Sequence, residues 1–588
     1  MALKYWFEFT STAKKPDNTY DNITHRVEIS DATFTGNSTQ VFGSCSLDYS
    51  ETKDTLEPVR GSGLQIDLEA DSDLTFYDLY SEEERTFSVV YTRASETLFN
   101  GWLSPEGIFE SLVSDKWIIS LDCTDGLGFL ANLSYVEDAT GVNFVGKQSL
   151  LEIVSNCLKR TKTPQNILTS IDIYYSGLSQ ILDPFANVYF NADRFIKDDK
   201  NTTIMNCEEV LKSVLEPFGA VLTSYKGEWL VYKPNLLVNS SSQTFFAYNS
   251  LGIALGTPSR TIDFAFALGS QRDAYYPHHA SGNQQKTIKS SIGAYRINYK
   301  YGLVKGLIDI EDFTLSGSSS GFLSTTKLIS AETRLTLNVN TISEFLNNEG
   351  FSSDVVLKIT NGVDIKYYDG TDWVVAFSKM ALQINGNFVG EITRTPFLGD
   401  ISISIPGINT YPNYLNETGE VYVDFSIDII PAGTDQEKEG ENHTFQRTLK
   451  PSSKIKDVKK VFNGDDESDI YVGTIYKADE ITTTSTWTRY GASETKPILR
   501  IMGEERMKMY SKPLQVYKGY VYGYFNYLSL VTINGLTGKF MPTTYSYDAL
   551  RNITALELTE VLNTDILSDV LYELTFDYGN VVEPTIKG

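Results

Sequence analysis

The stretch CEEVLKSVLEPFGAVLTSYKGEWLVYK, residues 207–233, decides the fold of its region because it specifies a short helix followed directly by a hairpin. Its first half carries apolar residues at spacings of one, three and four, as on one face of a helix: Val210, Leu211, Val214, Leu215 and Phe218. Asn206 and Glu209 have the spacing of a capping box, which predicts the start of the helix. The pattern therefore indicates one amphipathic helix.

The second half of the stretch predicts the end of that helix and a tight turn. Pro217 disfavours helical geometry at Glu216, and Gly219 can adopt the left-handed conformation that follows a helix. Lys226 and Gly227 then separate two strand-prone runs, which is a hairpin signal. The whole stretch predicts a small α/β unit without a catalytic group.

Composition favours a mainly β protein of several domains. The chain has 588 residues, a length typical of about four domains. Its 36 Tyr and 31 Phe fit the half-buried surface of sheets, although a Tyr-rich sugar-binding surface would give the same bias.

Charge and cysteine content narrow the function classes. A net charge of −25 argues against a protein that grips nucleic acid by its phosphates, but permits a channel through which DNA slides. The four cysteines form no C-x-x-C pair, so a zinc ribbon or redox motif is not expected. No export signal or membrane-spanning run is apparent, so we expect folding in a cytoplasm.

Periodicity divides the chain into five regions. They are 1–135, short strands typical of a barrel or sandwich; 136–240, a small α/β domain; 241–325, a β and loop region; 326–440, a β-sandwich; and 441–588, which begins with polar sequence and returns to strands. Within them, His278 and His279 are predicted to lie in a solvated loop, as is the acidic run 463–469. A helix is predicted within SETKPILRIMGEERMKMYSK, and a hairpin turn at 548–552.

One aromatic group is the candidate ligand-binding site. Tyr367, Tyr368 and Trp373 flank a turn at Asp369 and Gly370. Their rings can stack on a sugar, or they can pack against one another across the hairpin. Both interpretations stay open at this level.

The sequence offers few candidates for catalysis. Asp122 and Asp125 follow one another near a strand end, where they can be metal ligands or can cap the turn. Motifs of serine hydrolases, zinc proteases and nucleotide-binding loops are not found. We therefore predict a protein that is not an enzyme and that has no catalytic residues, no metal and no cofactor.

The chain resembles the tail-hub proteins of tailed bacteriophages, which include baseplate hubs and the N-terminal part of tail-associated lysins or tail-tip proteins. Four segments carry the resemblance in chain order: KWIISLDCTDGLGFLANLSY (116–135), KQSLLEIVSNCLKR (147–160), the stretch 207–233, and GKFMPTTYSYDALRNITALELTEV (538–561). The resemblance implies a homotrimer in which each subunit carries two tube-type β-barrels. They would be formed by residues 1–135 and about 510–565, with an α/β domain outside and the sandwich 326–440 as an insertion.

The same resemblance implies a place and partners. The protein would be a structural virion protein of the tail tip, assembled in the host cytoplasm, that joins the tail tube to the tip and lines the channel for DNA ejection. Tail tube or distal tail proteins, tail fibre or spike proteins and passing DNA without specific binding are the expected partners, and an acidic lumen would repel that DNA. The alternatives are an adhesin that binds host-surface glycans through 326–440, and a glycan-degrading tail enzyme.

Overall fold

The structure is a computed structural model of the chain. It describes residues 1–14, 19–52, 54–70, 74–110, 117–195, 204–269, 277–280, 284–290, 294–300, 304–315, 322–323, 327–329, 334–343, 351–383, 387–393, 395–397, 399–405, 408–410, 421–430, 442–447, 465–471, 475–480, 482, 484, 486–496, 498–510, 512–562 and 572–577.

Strands make up most of the described structure, which confirms the prediction of a mainly β, multidomain protein. The first strands are β1 (Ala2–Lys14), β2 (Tyr20–Asp31), β3 (Thr39–Gln40), β4 (Phe42–Tyr49), β5 (Val59–Arg60), β6 (Ser62–Ala70), β7 (Phe87–Arg93), β8 (Glu96–Glu110) and β9 (Trp117–Thr124). The next are β10 (Lys147–Ser149), β11 (Ile167–Ser170), β12 (Ile173–Tyr175), β13 (Tyr189–Asn191), β14 (Val221–Tyr225), β15 (Glu228–Tyr232), β16 (Ser242–Tyr248), β17 (Ala254–Asp263), β18 (Ala265–Leu268), β19 (His278–His279) and β20 (Gln285–Lys289).

The second half of the chain continues this β structure. Its strands are β21 (Ala294–Lys300), β22 (Val304–Leu315), β23 (Phe322–Leu323), β24 (Lys327–Ile329), β25 (Arg334–Ser343), β26 (Phe351–Thr360), β27 (Ile365–Tyr368), β28 (Trp373–Val374), β29 (Met380–Gln383), β30 (Asn387–Ile392), β31 (Gly399–Ile405), β32 (Ile408–Thr410) and β33 (Val421–Ile430). The last are β34 (Asn442–Arg447), β35 (Asp465–Tyr471), β36 (Ile475–Tyr476), β37 (Trp487–Arg489), β38 (Leu514–Tyr522), β39 (Leu530–Ile533), β40 (Lys539–Asp548), β41 (Ile553–Val561) and β42 (Tyr572–Asp577).

Helices are short and concentrated in one region. The α-helices are α1 (Leu150–Lys159), α2 (Pro184–Asn187), α3 (Cys207–Leu215), α4 (Pro234–Asn239) and α5 (Ile498–Met509). The 3-10 helices are Phe76–Asp78, Leu127–Asn132, Ala192–Phe195 and Glu216–Phe218. The helix predicted within SETKPILRIMGEERMKMYSK is confirmed as α5.

The N-terminal strands curl into a barrel. They follow the order β4-β6-β9-β8-β7-β2-β1, each antiparallel to the next, and β3 pairs with β1 in parallel. The amide of Val41, between β3 and β4, donates to the carbonyl of Trp6 on β1 at 2.9 Å. The start of β4 therefore lies close to β1, at the other end of the strand order. Alternate residues such as Phe7, Val27 and Ile66 are fully buried, because strand side chains point alternately to the two faces.

The C-terminal strands form a second curved unit on the same sheet. β38, β41 and β40 are antiparallel neighbours, β39 joins β40, and β18, β19 and β20 from the middle of the chain complete the unit. The predicted hairpin turn at 548–552 is confirmed, and Asn552 adopts φ 53° there.

The small α/β unit confirms the predictions from 207–233. Asn206 Oδ1 accepts a hydrogen bond from the amide of Glu209 at 2.8 Å, and the Glu209 carboxylate accepts one from the amide of Asn206 at 3.0 Å. Gly219 has φ 59° after the helix, and the hairpin of β14 and β15 turns at Lys226 and Gly227. The sheet order is β17-β16-β11-β15-β14-β5, so a strand of the N-terminal region borders the α/β unit.

Arg60 fixes the α/β unit to both barrel-type units. This residue is 1% exposed, and its guanidinium donates to the carbonyl of Asp54 at 3.0 Å and to the hydroxyl of Tyr527 at 3.3 Å. Its own carbonyl accepts from Thr223 Oγ1 at 3.0 Å. One buried residue therefore contacts three parts of the fold, two through its guanidinium and one through its backbone carbonyl.

Two further sheets lie in the region of the predicted sandwich. One has the order β22-β33-β25-β30; the other has the order β23-β31-β26-β27-β28, with β24, β29 and β32 at its sides. A separate sheet, β35-β21-β34-β42, joins strands from before and after them. The boundaries 1–135, 136–240, 241–325, 326–440 and 441–588 stay predictions.

Two loop predictions are wrong. His278 and His279 form the short strand β19 against β38, and His278 is 4% exposed. Residues 465–469 of the acidic run belong to β35, which pairs in parallel with β21. In both cases pairing with a distant strand overrides the polar local sequence.

Candidate functional site

The two barrel-type units are parts of one continuous sheet. β4 and β40 pair antiparallel, with Ser46 opposite Asp548 and Tyr49 opposite Tyr545. The inner side of this junction is aromatic: the Tyr49 ring stacks on Tyr527 at 4.2 Å between centroids and meets Tyr545 edge-on at 5.7 Å. Backbone pairing and aromatic packing therefore join the two ends of the chain.

The opposite face of this sheet is mostly polar and acidic, with Phe42 and Ile118 as exposed apolar residues. Strand alternation turns Cys45, Leu47 and Tyr49 inward and leaves Asp48 outward, and the same alternation holds along the neighbouring strands. The outward carboxylates on β4, β6, β9, β40 and β41 are those of Asp48, Asp67, Glu69, Asp122, Asp548 and Glu557, and together they are called the acidic face. It crosses the junction, so both barrel-type units contribute to it.

Asp48 is partly buried and lies near a second carboxylate of the acidic face, that of Asp122. Its pKa is raised, first because the carboxyl is partly removed from water and then because the charge of Asp122 repels it, while a hydrogen bond with Ser546 partly offsets both effects. Gly63 lies opposite Asp48 on β6 and carries no side chain to separate the two carboxylates. Negative charge is therefore kept here at an energetic cost.

Few cations balance the acidic face. Lys518 approaches Glu557 at 3.9 Å, and Arg551 approaches Asp548 at 3.6 Å from a position that is 77% exposed. Ser120 donates to Asp67 at 2.6 Å, which is a neutral partner. Among the residues that the structure describes, no basic side chain forms an ion pair with Asp48, Asp67 or Asp122.

Asp125, next to the acidic face in sequence, is structural. It is fully buried, and its carboxylate accepts hydrogen bonds from the amide and hydroxyl of Ser62 at 2.6 and 2.9 Å and from the amide of Leu127 at 3.0 Å. Burial raises its pKa to about 6. The capping interpretation is confirmed for Asp125, and no cluster of three potential metal ligands occurs in the described part of the chain.

The three predicted sugar-stacking residues do not share one surface. Tyr368 and Trp373 are each 5% exposed, with ring centroids 5.6 Å apart across the hairpin, and the Trp373 indole donates to the carbonyl of Thr393 at 2.9 Å. These two rings are therefore occupied by packing. Tyr367 lies on the other face, where its ring meets Phe377 at 5.2 Å. Glycan stacking stays a prediction, and Tyr367 is the residue placed to take part in it.

The histidines are held by aromatic partners. His25 is buried between Ser11 and Tyr91, and His279 lies 2.7 Å from the hydroxyl of Tyr517. Burial lowers the pKa of both imidazoles. His443 belongs to β34, and its side chain is outside the described residues.

Within the described residues, no helix is both long enough and apolar enough to cross a bilayer.

Comparison with solved structures returns tail proteins. The 43 kDa tail protein of prophage MuSo2 from Shewanella oneidensis is 9% identical, with 92% of this chain and 98% of that chain covered and a TM-score of 0.37. The tail protein from Neisseria meningitidis MC58 is 7% identical, with 91% and 96% covered and a TM-score of 0.36. A family two carbohydrate esterase from Cellvibrio japonicus is 12% identical over 26% of this chain and 36% of that chain, with a TM-score of 0.12.

No protein-family model matches the sequence, and no curated protein matches it. The neighbours in structure thus include two tail proteins.

Proposed function

We propose that the chain is a structural subunit of a phage tail tip, in which three copies form a hub that joins the tail tube to the tip and encloses the DNA-ejection channel. The observation that carries the proposal is the β4–β40 junction, which places two barrel-type units side by side in one sheet. Three such subunits in cyclic symmetry present six similar units, which is the number needed to continue a six-fold tube.

The acidic face supports a channel lining. DNA carries one negative charge per phosphate, so a carboxylate surface with few cations repels it and leaves it free to move. Asp48 is informative because its raised pKa marks a charge that the fold would be more stable without. The role needs no catalytic group and no cofactor.

Electron microscopy of the purified full-length protein, together with its mass in solution, tests the assembly. We expect particles of three-fold symmetry with a central opening, at three times the mass of one chain. A monomeric rod, or a ring whose opening is lined by basic residues while the acidic face lies on the outer wall, would overturn the proposal.

Charge reversal in the virion tests the channel lining separately. The triple variant Asp48→Lys, Asp67→Lys and Asp122→Lys should assemble tails but eject DNA slowly, because the reversed charges hold phosphates. The matched control reverses three exposed acids outside the acidic face, Glu82, Glu83 and Glu84, and should leave ejection unchanged. Equal ejection by both variants would exclude the acidic face from the channel wall.

A further inference from the structure

An open cleft of about 630 Å³ lies beside the hairpin of β27 and β28, on the face opposite to Tyr368 and Trp373. Its apolar lining includes Tyr367, Ile365, Val363 and Val375. Val363 is 89% exposed and Val375 is 76% exposed, so this lining is open to solvent. Adjacent exposed apolar side chains of this kind mark an interaction site.

Tyr367 forms the aromatic floor beside this cleft. The rings of Tyr367 and Phe377 pack edge to face, with an interplanar angle of 65°. This contact restrains the orientation of the tyrosine, and Phe377 itself is 68% exposed. An ordered aromatic ring with a polar hydroxyl suits the apolar face of a sugar ring and its hydroxyl groups.

Polar groups stand at the rim of the cleft. Asp364 and Lys366 line it together with the apolar residues. The preceding turn is rigid: Asn361 Oδ1 accepts from the amides of Val363 at 2.9 Å and Asp364 at 2.7 Å, and Gly362 adopts φ 89°. The Asp364 carboxylate and the Lys366 ammonium can supply the few polar contacts that orient a small ligand.

Size and charge select the ligand class. A stable protein interface needs about 20–30 residues on each side, whereas the exposed apolar residues here belong to one hairpin, the turn before it and the loop after it. The cleft volume instead falls in the range of small-ligand sites, about 300–1,000 Å³. Because the chain has a net charge of −25, its long-range field disfavours anionic ligands.

We propose that this cleft binds a neutral di- or trisaccharide, with Tyr367 as the stacking residue and Asp364 and Lys366 as hydrogen-bonding partners. Trp373 and Tyr368 support the hairpin from the buried side and do not touch the ligand. The proposal does not depend on the trimeric hub, because every contact comes from a single chain.

Saturation-transfer NMR on the full-length protein tests the proposal with maltotriose, cellotriose and chitotriose as separate probes. We expect saturation of at least one trisaccharide, with about tenfold weaker binding in the Tyr367→Ala variant because an aromatic contact is lost. The matched control is Tyr77→Ala, since Tyr77 is solvent-accessible and, like Tyr367, packs edge-on against a phenylalanine, Phe76 at 5.5 Å. This control should bind as the unaltered chain does.

A second variant distinguishes loss of binding from loss of folding. Val375→Asp introduces a charge at an exposed position of the cleft and should abolish binding while circular dichroism stays unchanged. Absence of saturation with all three sugars, or equal binding by the Tyr367→Ala variant and the unaltered chain, would overturn the proposal. A change in sedimentation of the Tyr367→Ala variant would also overturn it, because the cleft would then be a contact between chains.

Discussion

Lys233 and Glu505, which are 272 residues apart in the chain, form a buried ion pair with Nζ 2.9 Å from Oε2. The same ammonium lies 2.6 Å from Oδ1 of Asp172, and Arg489 contacts both carboxylates. Burial by itself would raise the pKa of Asp172, but Lys233 and Arg489 hold it below its ordinary value. A Cβ atom added at Gly219 would lie 3.8 Å from Oε2 of Glu505. The cluster therefore fastens α5 to the α/β unit.

Replacing Lys233 with alanine should loosen α5. Two buried carboxylates would then share one cation, and breaking a buried pair in this way costs about 3–5 kcal/mol. Hydrogen exchange of the α5 amides measures the effect locally, which suits a chain of several domains. We expect faster exchange throughout residues 498–509.

The matched control for that experiment is Lys212→Ala. Lys212 pairs with Glu208 at 2.8 Å on the exposed side of α3, and such pairs contribute less than about 0.5 kcal/mol. If the α5 amides exchange hydrogen at the same rate in the two lysine variants, the cluster does not hold the helix.

His25 should make the stability of the N-terminal barrel depend on pH. Its ring nitrogens lie 2.7 Å from Ser11 Oγ and 2.8 Å from the Tyr91 hydroxyl, and it stacks on Phe9. Burial, followed by the charge of Arg93, lowers its pKa to about 4. The unfolded chain binds this proton near pH 6.5, so stability falls as pH decreases from about 6.5 to 4 and levels off below that window.

The loss due to His25 should reach about 3 kcal/mol across that window, from the difference between the two pKa values. Denaturant unfolding at pH 7, 5.5 and 4 measures it, and the comparison is with His25→Gln, which does not titrate. The difference between the two proteins isolates the imidazole from all other groups. Parallel stability profiles would show that His25 is not the cause.

Asp48→Asn should stabilise the protein at neutral pH. The pKa of Asp48 is raised, so its charged form destabilises the fold and stability contributed at this position falls as pH rises through the titration. Asparagine keeps a hydrogen-bonding group for Ser546 and removes the repulsion by Asp122. Such a repulsion between carboxylates on one sheet face costs a few tenths to about 1 kcal/mol. Thermal unfolding at pH 7 and pH 4 measures it, and the gain should be smaller at pH 4, where more of the carboxyl is protonated. Destabilisation at pH 7 would contradict this account.

Local sequence signals predicted the α/β unit because its determinants are contiguous. Asn206 with Glu209 and Lys226 with Gly227 act over two to four residues, so their geometry follows from residue type alone. The direction of Tyr368 and Trp373 was not predictable in this way. Which side of a hairpin is buried depends on the residues that pack over it, and Thr393, which accepts the hydrogen bond of the Trp373 indole, lies outside the hairpin.

The sequence predicts which side of each strand of the acidic face is exposed, but not which strands are neighbours. Strands such as SGLQIDLEA alternate apolar and polar residues, which predicts one buried and one exposed side. The partner strand was not visible, because β4 and β40 are paired by backbone hydrogen bonds that any sequence can form. The carboxylates of Asp48 and Asp548 share a face only through that pairing.

An engineered disulfide tests the junction on which the proposed hub depends. Ser46 and Asp548 are directly opposite in the β4–β40 pair, and opposite residues of antiparallel strands have Cα atoms about 4.5–5.5 Å apart, within the range of disulfides. The Ser46→Cys, Asp548→Cys variant should therefore crosslink under mild oxidation and join the fragments when the chain is cut between them. The control Ser44→Cys, Asp548→Cys is displaced by two residues along β4 on the same face and should not crosslink. Because the native Cys45 is buried and turned inward, it does not compete. Equal crosslinking of both variants would mean that the two ends of the chain do not meet in this register.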